Sequence, residues 1–582
     1  MKFEVQYFMT EQDEEVIRRT TSLCPECLQP IPAEIYVDTE ISDNGEPWVM
    51  MRKKCKDHGE FKDKISISPE EYKWANNYTA KMGSETNNTT KPEYVNDGIK
   101  PTKNGCPYDC GICENHKSAP CICLIDVTNR CNLACPICFA NASAKGYVVE
   151  PTYEEIVQIM EHFRSMKPHP APMLQLAGGE PTVREDLPQI IRKAKELGFI
   201  EVMVSTNGVR MGKSLEYTKK LHDAGVDAVY LQFDATDDPE TWKKIRGVNL
   251  WPLKQKVIEN CREVGQYGVM LVPTVAKGVN DHQIGNILEY AKENSDVISG
   301  VVFQPVSLCG RISFEELMDL RYTTSDLKVA INKHMDGGFG KFYPLATTSK
   351  LTKLLAWFDN KPEWAMLSHK DCGFATIQVV NDKGEWEPIE NFFDVKGLIK
   401  WTNKVYDMVY NKEVPKPTKF FNGVDFSRFG IIAETVGKFV DELTEVGYRQ
   451  MMKSYYMAGL SRFVKNPQKI FTSKTYQAFA KLVLNPSLDT AGNFLHSRNL
   501  MIGAMHFQDA YNFDLNRVQK CLVHYGVIDP NDHDNVLEIP FCSFNTIHRE
   551  QIERQLALKD EEAEKPDVIQ GKIESVLDNI KD

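Results

Sequence analysis

"CNLACPICFA", residues 131–140, sets three cysteines in C-x3-C-x2-C spacing directly after a strand-like apolar run, "CICLIDVT" (121–128). Three thiolates are one short of the four that a closed iron–sulfur cube or a structural zinc takes. Either a fourth ligand comes from elsewhere, or one metal corner stays open.

Further along, the chain repeats a βα rhythm. "MLQLAGG" (173–179), "IEVMVST" (200–206), "AVYLQFD" (228–234), "VMLVPTV" (269–275) and "GVVFQPV" (300–306) follow the first run as short apolar strands. After each of the first five comes a helical pattern, such as "PTYEEIVQIMEHFRSM" (151–166) or "REDLPQIIRKAKELG" (184–198). This alternation predicts a parallel α/β sheet. Six units are fewer than the eight of a full barrel, so the expected fold is a partial (β/α)6 barrel. The polar stretches "NRCNLACPIC", "GGEPT", "STNG", "DATDD" and "AKGVN" follow the strands and share the face where such barrels carry active sites.

Composition narrows the class. The 582 residues carry a formal net charge of −12, which gives no general basis for nucleic-acid binding. The basic "RKKCK" (52–56) reads as solvated surface. No apolar run approaches the roughly 18–20 residues of a membrane span, and the N-terminus lacks a signal-peptide pattern. The expectation is a cytoplasmic protein, at most peripheral at the inner membrane surface. Eleven of the 16 cysteines precede residue 139, clustered at ligand-like spacing that favours metal binding over disulfides. Five regions are expected: a rubredoxin- or zinc-ribbon-like metal site (1–75), a polar linker (76–104), an auxiliary-cluster segment (105–123), the barrel (124–310), and a mostly helical C-terminal domain (311–582) with an apolar substrate channel.

The cysteine loop, with "AGGEPT" (177–182) after the second strand, resembles the radical S-adenosylmethionine (SAM) superfamily. That resemblance answers the opening question: Cys131, Cys135 and Cys138 would hold three irons of a [4Fe–4S] cluster, and the fourth iron would stay free for the cofactor's amino and carboxylate groups. Phe139 fits the family pattern. Gly178, Gly179 and Glu180 match the motif that receives the methionine amine. Ser205 and Asn207 stand where polar side chains meet the ribose or the carboxylate. Asp234 and Arg246 would be further cofactor contacts, with helix caps or surface polar groups as the alternative.

The other cysteines form three groups. Cys24, Cys27, Cys55 and His58 (C-x2-C…C-x2-H) suit one mononuclear iron or zinc. Cys106, Cys110, Cys113 and Cys121 suit a closed auxiliary [4Fe–4S] cluster, with zinc as the alternative; Cys123 is set aside as an extra thiol. Cys309, Cys372, Cys521 and Cys542 are scattered. They would form a second auxiliary cluster or be buried apolar thiols. The total is three [4Fe–4S] clusters.

Within the superfamily, "CPEC", "GCPYDCGICENH" and "GAMHFQDAYNFDLNRVQKC" resemble the tetraether lipid synthase family, whose members join isoprenoid lipid tails. That implies a lipid substrate, C–C bonding between methyl termini and a small electron donor such as ferredoxin. Two rival readings are a radical methylase acting on a pterin, which wants a polar pocket, and a non-catalytic multi-cluster electron carrier.

Overall fold

Alternation of apolar and polar residues shapes the N-terminal element. Strands β1 (Val16–Leu23), β2 (Pro30–Asp38), β3 (Trp48–Cys55) and β4 (Gly59–Ser66) form an antiparallel sheet in that order. Ala33, Ile35, Val49 and Met51 pack with Tyr72 of helix α1 (Pro69–Asn76). The computed structural model describes residues 15–39, 46–76, 104–109, 112–113, 116, 118–142, 146–167, 170–307, 320–334, 338–360, 368–413, 444–473, 475–477, 481 and 499–557. Cys110 and Cys309 lie outside the described residues.

The six apolar runs are all strands. They are β5 (Ile122–Asp126), β6 (Met173–Ala177), β7 (Glu201–Thr206), β8 (Ala228–Gln232), β9 (Val269–Val272), with β10 (Thr274–Val275) just beyond it, and β11 (Ile298–Pro305). They run parallel in the order β11-β9-β8-β7-β6-β5. Val202, Val204, Val229, Leu231, Val269 and Leu271 are all fully buried, and each contributes roughly 1.5–3 kcal/mol on leaving water. The intervening helices begin where their caps dictate. Helix α2 (Tyr153–Ser165) starts at Thr152, whose hydroxyl accepts from Glu155 N at 3.1 Å while Thr152 N donates to the Glu155 carboxylate at 2.8 Å. Its Ile156, Ile159, Met160 and Phe163 are buried.

The last third differs from expectation. Two compact units partition the chain, one comprising 1–345, 367–376 and 500–582, the other 346–366 and 377–499. Only the second is the helical part: 349–358, 395–410 and 445–460 are helices around Leu354, Trp401, Val405, Met452 and Tyr456. In the first unit, β12 (Tyr343–Pro344) pairs antiparallel with the start of β13 (Gly373–Val380). In the second, β14 (Trp386–Pro388) pairs with the end of β13. The segment after 499 returns to the barrel sheet. β15 (Asn499–Met505) runs parallel to β11, while β16 (Val523–Asp529) runs parallel to β5 and forms a hairpin with β17 (Asp532–Pro540). Residues 500–557 thus extend the barrel sheet on both flanks and do not belong to a separate domain. Among the described residues, no helix is long and apolar enough to cross a membrane.

Candidate active site

The loops after β5 and β6 are zipped together by backbone. Val127 N donates to Ala177 O (2.9 Å), Gly179 N to Thr128 O (2.7 Å) and Glu180 N to Arg130 O (2.9 Å). This approach admits no side chain. A Cβ on Gly178, whose φ is +141°, would stand 2.1 Å from Thr128 O, and one on Gly179 would stand 2.3 Å from Arg130 O. The glycines therefore set the cysteine loop against the second strand.

Glu180 is 1% exposed. Its carboxylate accepts from Thr182 N (3.1 Å), Thr182 Oγ1 (2.5 Å), Thr206 Oγ1 (2.6 Å) and Asn207 N (2.7 Å), tying the ends of β6 and β7 together. Burial pushes this carboxyl up from its ordinary value, while those four donors pull it back. The expected role of receiving an amine thus falls more naturally to the surrounding backbone.

Cys131, Cys135 and Cys138 line one cavity of about 330 Å³. Burial raises the Cys131 thiol well above its usual value, and neighbouring Cys135 and Cys138 raise it further. Three soft donors lining one cavity are a fit for three irons of a cluster. Ser205 and Asn207 line the same cavity; Gln175 Nε2 donates to Ser205 Oγ at 2.6 Å and Asn207 Nδ2 to Asn132 Oδ1 at 2.7 Å.

Asp234 departs from the expectation of direct cofactor contact. It is fully buried behind the cavity wall, forked by Arg246 Nε (2.6 Å) and Nη2 (3.0 Å) and bonded by Thr274 N (2.9 Å). Arg246 lines the cavity, yet most of its donors are taken: Nη2 also reaches Thr274 Oγ1 (3.0 Å) and Nη1 reaches Ile137 O (3.1 Å).

Two features escaped sequence reasoning. Lys254 of the helix Trp251–Val264 is fully buried, donating to Asn207 O (2.6 Å) and Gln232 Oε1 (3.1 Å); burial lowers it to about 7. A lysine in register with Leu250, Val257 and Ile258 on an apolar helix face was the available signal. The second is an aromatic wall supplied by the C-terminal segment. Phe139 stacks on Phe541 (5.3 Å between centroids), Phe541 on Phe507 (4.3 Å), and Tyr525 on Phe541 (5.4 Å). All four line the cavity, as do Gln175, Gln232, Gln304 and Arg549, the last paired with Asp126 at 2.6 Å.

The remaining cysteine groups fare differently. Cys24, Cys27, Cys55 and His58 offer ligand atoms all within 4.8 Å of one another. His58 Nδ1 lies 3.6 Å from Cys24 Sγ and 3.4 Å from Cys55 Sγ. Backbone N–H of Asp57 and the His58 side chain lower the Cys55 thiol to about 6, a thiolate ready for a cation. Cys521 and Cys542 pack on one apolar cluster, and burial raises the Cys521 thiol to about 12, with Cys542 and Cys372 adding to the rise. All three belong to the barrel unit, so this group does not tie the barrel to another domain.

Of the expected auxiliary set, burial and then the neighbouring Cys113 raise the Cys106 thiol to about 12. Cys121 is held in the sheet by its backbone: its N donates to Leu522 O (2.8 Å) and its carbonyl accepts from Met173 N (3.2 Å).

Comparison with known proteins fits this geometry. Residues 125–291 match the Radical SAM superfamily, and residues 16–67 match the HMPTM N-terminal zinc ribbon domain. The 7,8-dihydro-6-hydroxymethylpterin dimethyltransferase of Methanocaldococcus jannaschii is 38% identical over 94% of this chain and 96% of its own length. The chain belongs to the family of that dimethyltransferase, within the radical SAM superfamily. Membership brings S-adenosylmethionine and a [4Fe–4S] cluster with it. A probable GTP 3',8-cyclase of Sulfolobus acidocaldarius is 32% identical over 36% of this chain and 63% of its own. SuiB of Streptococcus suis, bound to its precursor peptide, covers 37% of this chain and 45% of its own, with 18% identity and a TM-score of 0.29.

The dimethyltransferase overturns the expectation of lipid-tail coupling and of an isoprenoid lipid partner. Of the motifs that suggested the lipid family, "CPEC" lies in the matched zinc ribbon and the "GAMHFQDAYNFD" stretch supplies Phe507 of the cavity wall. They do not describe a substrate.

Proposed function

We propose that this chain is a radical SAM methylase acting on a pterin, replacing C–H by C–CH3. The observation that carries this reading is the near full-length similarity to the pterin dimethyltransferase. The cavity suits it. Phe139, Phe507 and Phe541 offer aromatic faces to a flat heterocycle, and the amides of Gln175, Gln232 and Gln304 offer donors and acceptors to its edge.

Cys131, Cys135 and Cys138 would hold the cluster. When bound, the cluster with S-adenosylmethionine supplies a 5'-deoxyadenosyl radical able to take hydrogen from carbon. The chain's own part is orientation and exclusion of water. Backbone groups at 178–180 receive the cofactor's amine, Ser205 and Asn207 meet its ribose or carboxylate, and the aromatic wall keeps the pocket dry. Cys24, Cys27, Cys55 and His58 would hold one iron or zinc. Two auxiliary clusters, one on the 106–113 segment and one on Cys372, Cys521 and Cys542, complete the set, with a small reductant such as a ferredoxin as partner.

The test is anaerobic reconstitution with methyl-labelled S-adenosylmethionine and 7,8-dihydro-6-hydroxymethylpterin, followed by mass spectrometry. The expected product gains one CH2 per methyl introduced, and the label shows where that carbon originates. Pterin of unchanged mass, with 5'-deoxyadenosine release that the pterin does not stimulate, refutes the proposal.

A further inference from the structure

The donor accounting around Arg246 leads beyond cofactor binding. A guanidinium has five N–H donors. Nε is used by Asp234 Oδ2, the two hydrogens of Nη2 by Asp234 Oδ1 and Thr274 Oγ1, and one hydrogen of Nη1 by Ile137 O. Four of the five are thus committed within the protein. The group therefore has at most one donor left for a cofactor carboxylate. Its orientation is fixed on three sides, by the fork on Asp234, by Thr274 and by a carbonyl of the cysteine loop itself. Asp234 is held in turn by Thr274 N and by the amide of Gln232, whose oxygen accepts from the buried Lys254. A buried ion pair of this kind costs desolvation, and its retention beside a metal ligand asks for a use.

We propose that Arg246, oriented by Asp234, sets the reduction potential of the cluster held by Cys131, Cys135 and Cys138. It acts as a tuning residue by holding a buried positive charge against the loop that carries the three sulfurs, its Nη1 on Ile137 O between Cys135 and Cys138. Hydrogen bonds to sulfur, net charge and solvent exposure are the protein's means of moving an iron–sulfur potential. Reduction adds one negative charge to the cluster, and a nearby guanidinium stabilises that charge more than it stabilises the oxidised form. Asp234 opposes this effect while holding the arginine in place. The two residues therefore pull the potential in opposite directions. This inference rests on the assignment of the three cysteines.

The test is an EPR-monitored redox titration of the full-length reconstituted protein. The radical cluster is identified as the signal that changes when S-adenosylmethionine is added. Arg246→Gln should make that cluster at least tenfold harder to reduce, a midpoint more negative by about 59 mV for one electron. Arg246→Lys, which keeps the charge without the fork, should fall between. Asp234→Asn should move the midpoint the other way. The potentials of the other clusters should stay put. Should Arg246→Gln fail to assemble, Asp234→Asn and Arg246→Lys carry the test. Unchanged midpoints at full iron content overturn the proposal, and so do changes of one sign in both the Arg246 and Asp234 variants, which would indicate disturbed packing. A wild-type protein with no cofactor-responsive signal overturns the cysteine assignment itself, a separate failure.

Discussion

Arg321 offers a sharp test of how the ribbon is held. Its side chain, 3% exposed, faces Asp63 of β4 at 2.8 Å and Asp509 of the "MHFQDAYNFD" stretch at 2.7 Å; those two carboxylates are 1% and 0% exposed. One cation thus serves two buried anions. Arg321→Met keeps most of the volume and removes the charge. Removing one partner of a buried pair costs about 3–5 kcal/mol, because the remaining charge is stranded. The loss should depend on pH, with a definite sign. Burial already raises the Asp63 carboxyl to about 6, and the Arg321 charge is the largest restraint on it, ahead of the Lys64 N–H and the Lys53 charge. An acid raised in the folded state adds stability that is full below its ordinary value near 3.8 and is lost as pH rises through about 6. Without Arg321 the folded value climbs further, so the variant takes up a proton at pH 5 and its deficit shrinks. Every tenfold gain in the proton affinity of that carboxylate is worth about 1.4 kcal/mol. Amide-exchange mass spectrometry in a urea series, on peptides from β3 and β4, would measure the local opening free energy at pH 5 and pH 8. A deficit below about 1 kcal/mol at pH 8, or an equal deficit at both values, would refute the reasoning.

Two other outcomes follow from the site. Gly179→Ala should abolish S-adenosylmethionine binding in an equilibrium assay, because the new Cβ meets the Arg130 carbonyl at 2.3 Å and backbone cannot yield as a flexible side chain would; retained affinity would mean the two loops can separate cheaply. Cys521→Ala should lower iron content by about one cluster's worth while 5'-deoxyadenosine release continues, since the three-cysteine loop is untouched; full iron content would make Cys521 an ordinary core thiol.

What the sequence made legible, and what it hid, has a physical pattern. The six barrel strands were readable because a strand buried on both faces is a near-continuous apolar run. Helix α2 was readable because its cap and its apolar period are local. The closing strands β15 to β17 were hidden: "NLMIGAM" and "VHYGVID" mix glycine, histidine and short apolar pairs, and they become strands only by joining edges that β11 and β5 leave open. Cysteine spacing likewise counts residues along the chain and is blind to sheet register, which here holds the Cys121 backbone between Met173 and Leu522.

The acidic residues of "DAYNFD" carry the point furthest. Asp509 pairs with Arg321, 188 positions away, and Asp514 with Arg18 and Thr20, more distant still. Lys53 of the ribbon, lowered to about 7 by burial, donates to Ala510 O at 2.6 Å. A short motif that carried the family resemblance is therefore the seat on which the metal-binding ribbon docks. The same stretch continues from Phe507 of the cavity wall, and Arg517 just beyond donates to His506 O (2.5 Å), whose own N–H donates to Cys372 O (2.9 Å). One loop thus joins ribbon, cavity wall and distal cysteines through buried charges. Losing Asp514 should therefore loosen the ribbon and the cysteine group together, whereas a substrate-contact residue would alter catalysis and leave the metals in place.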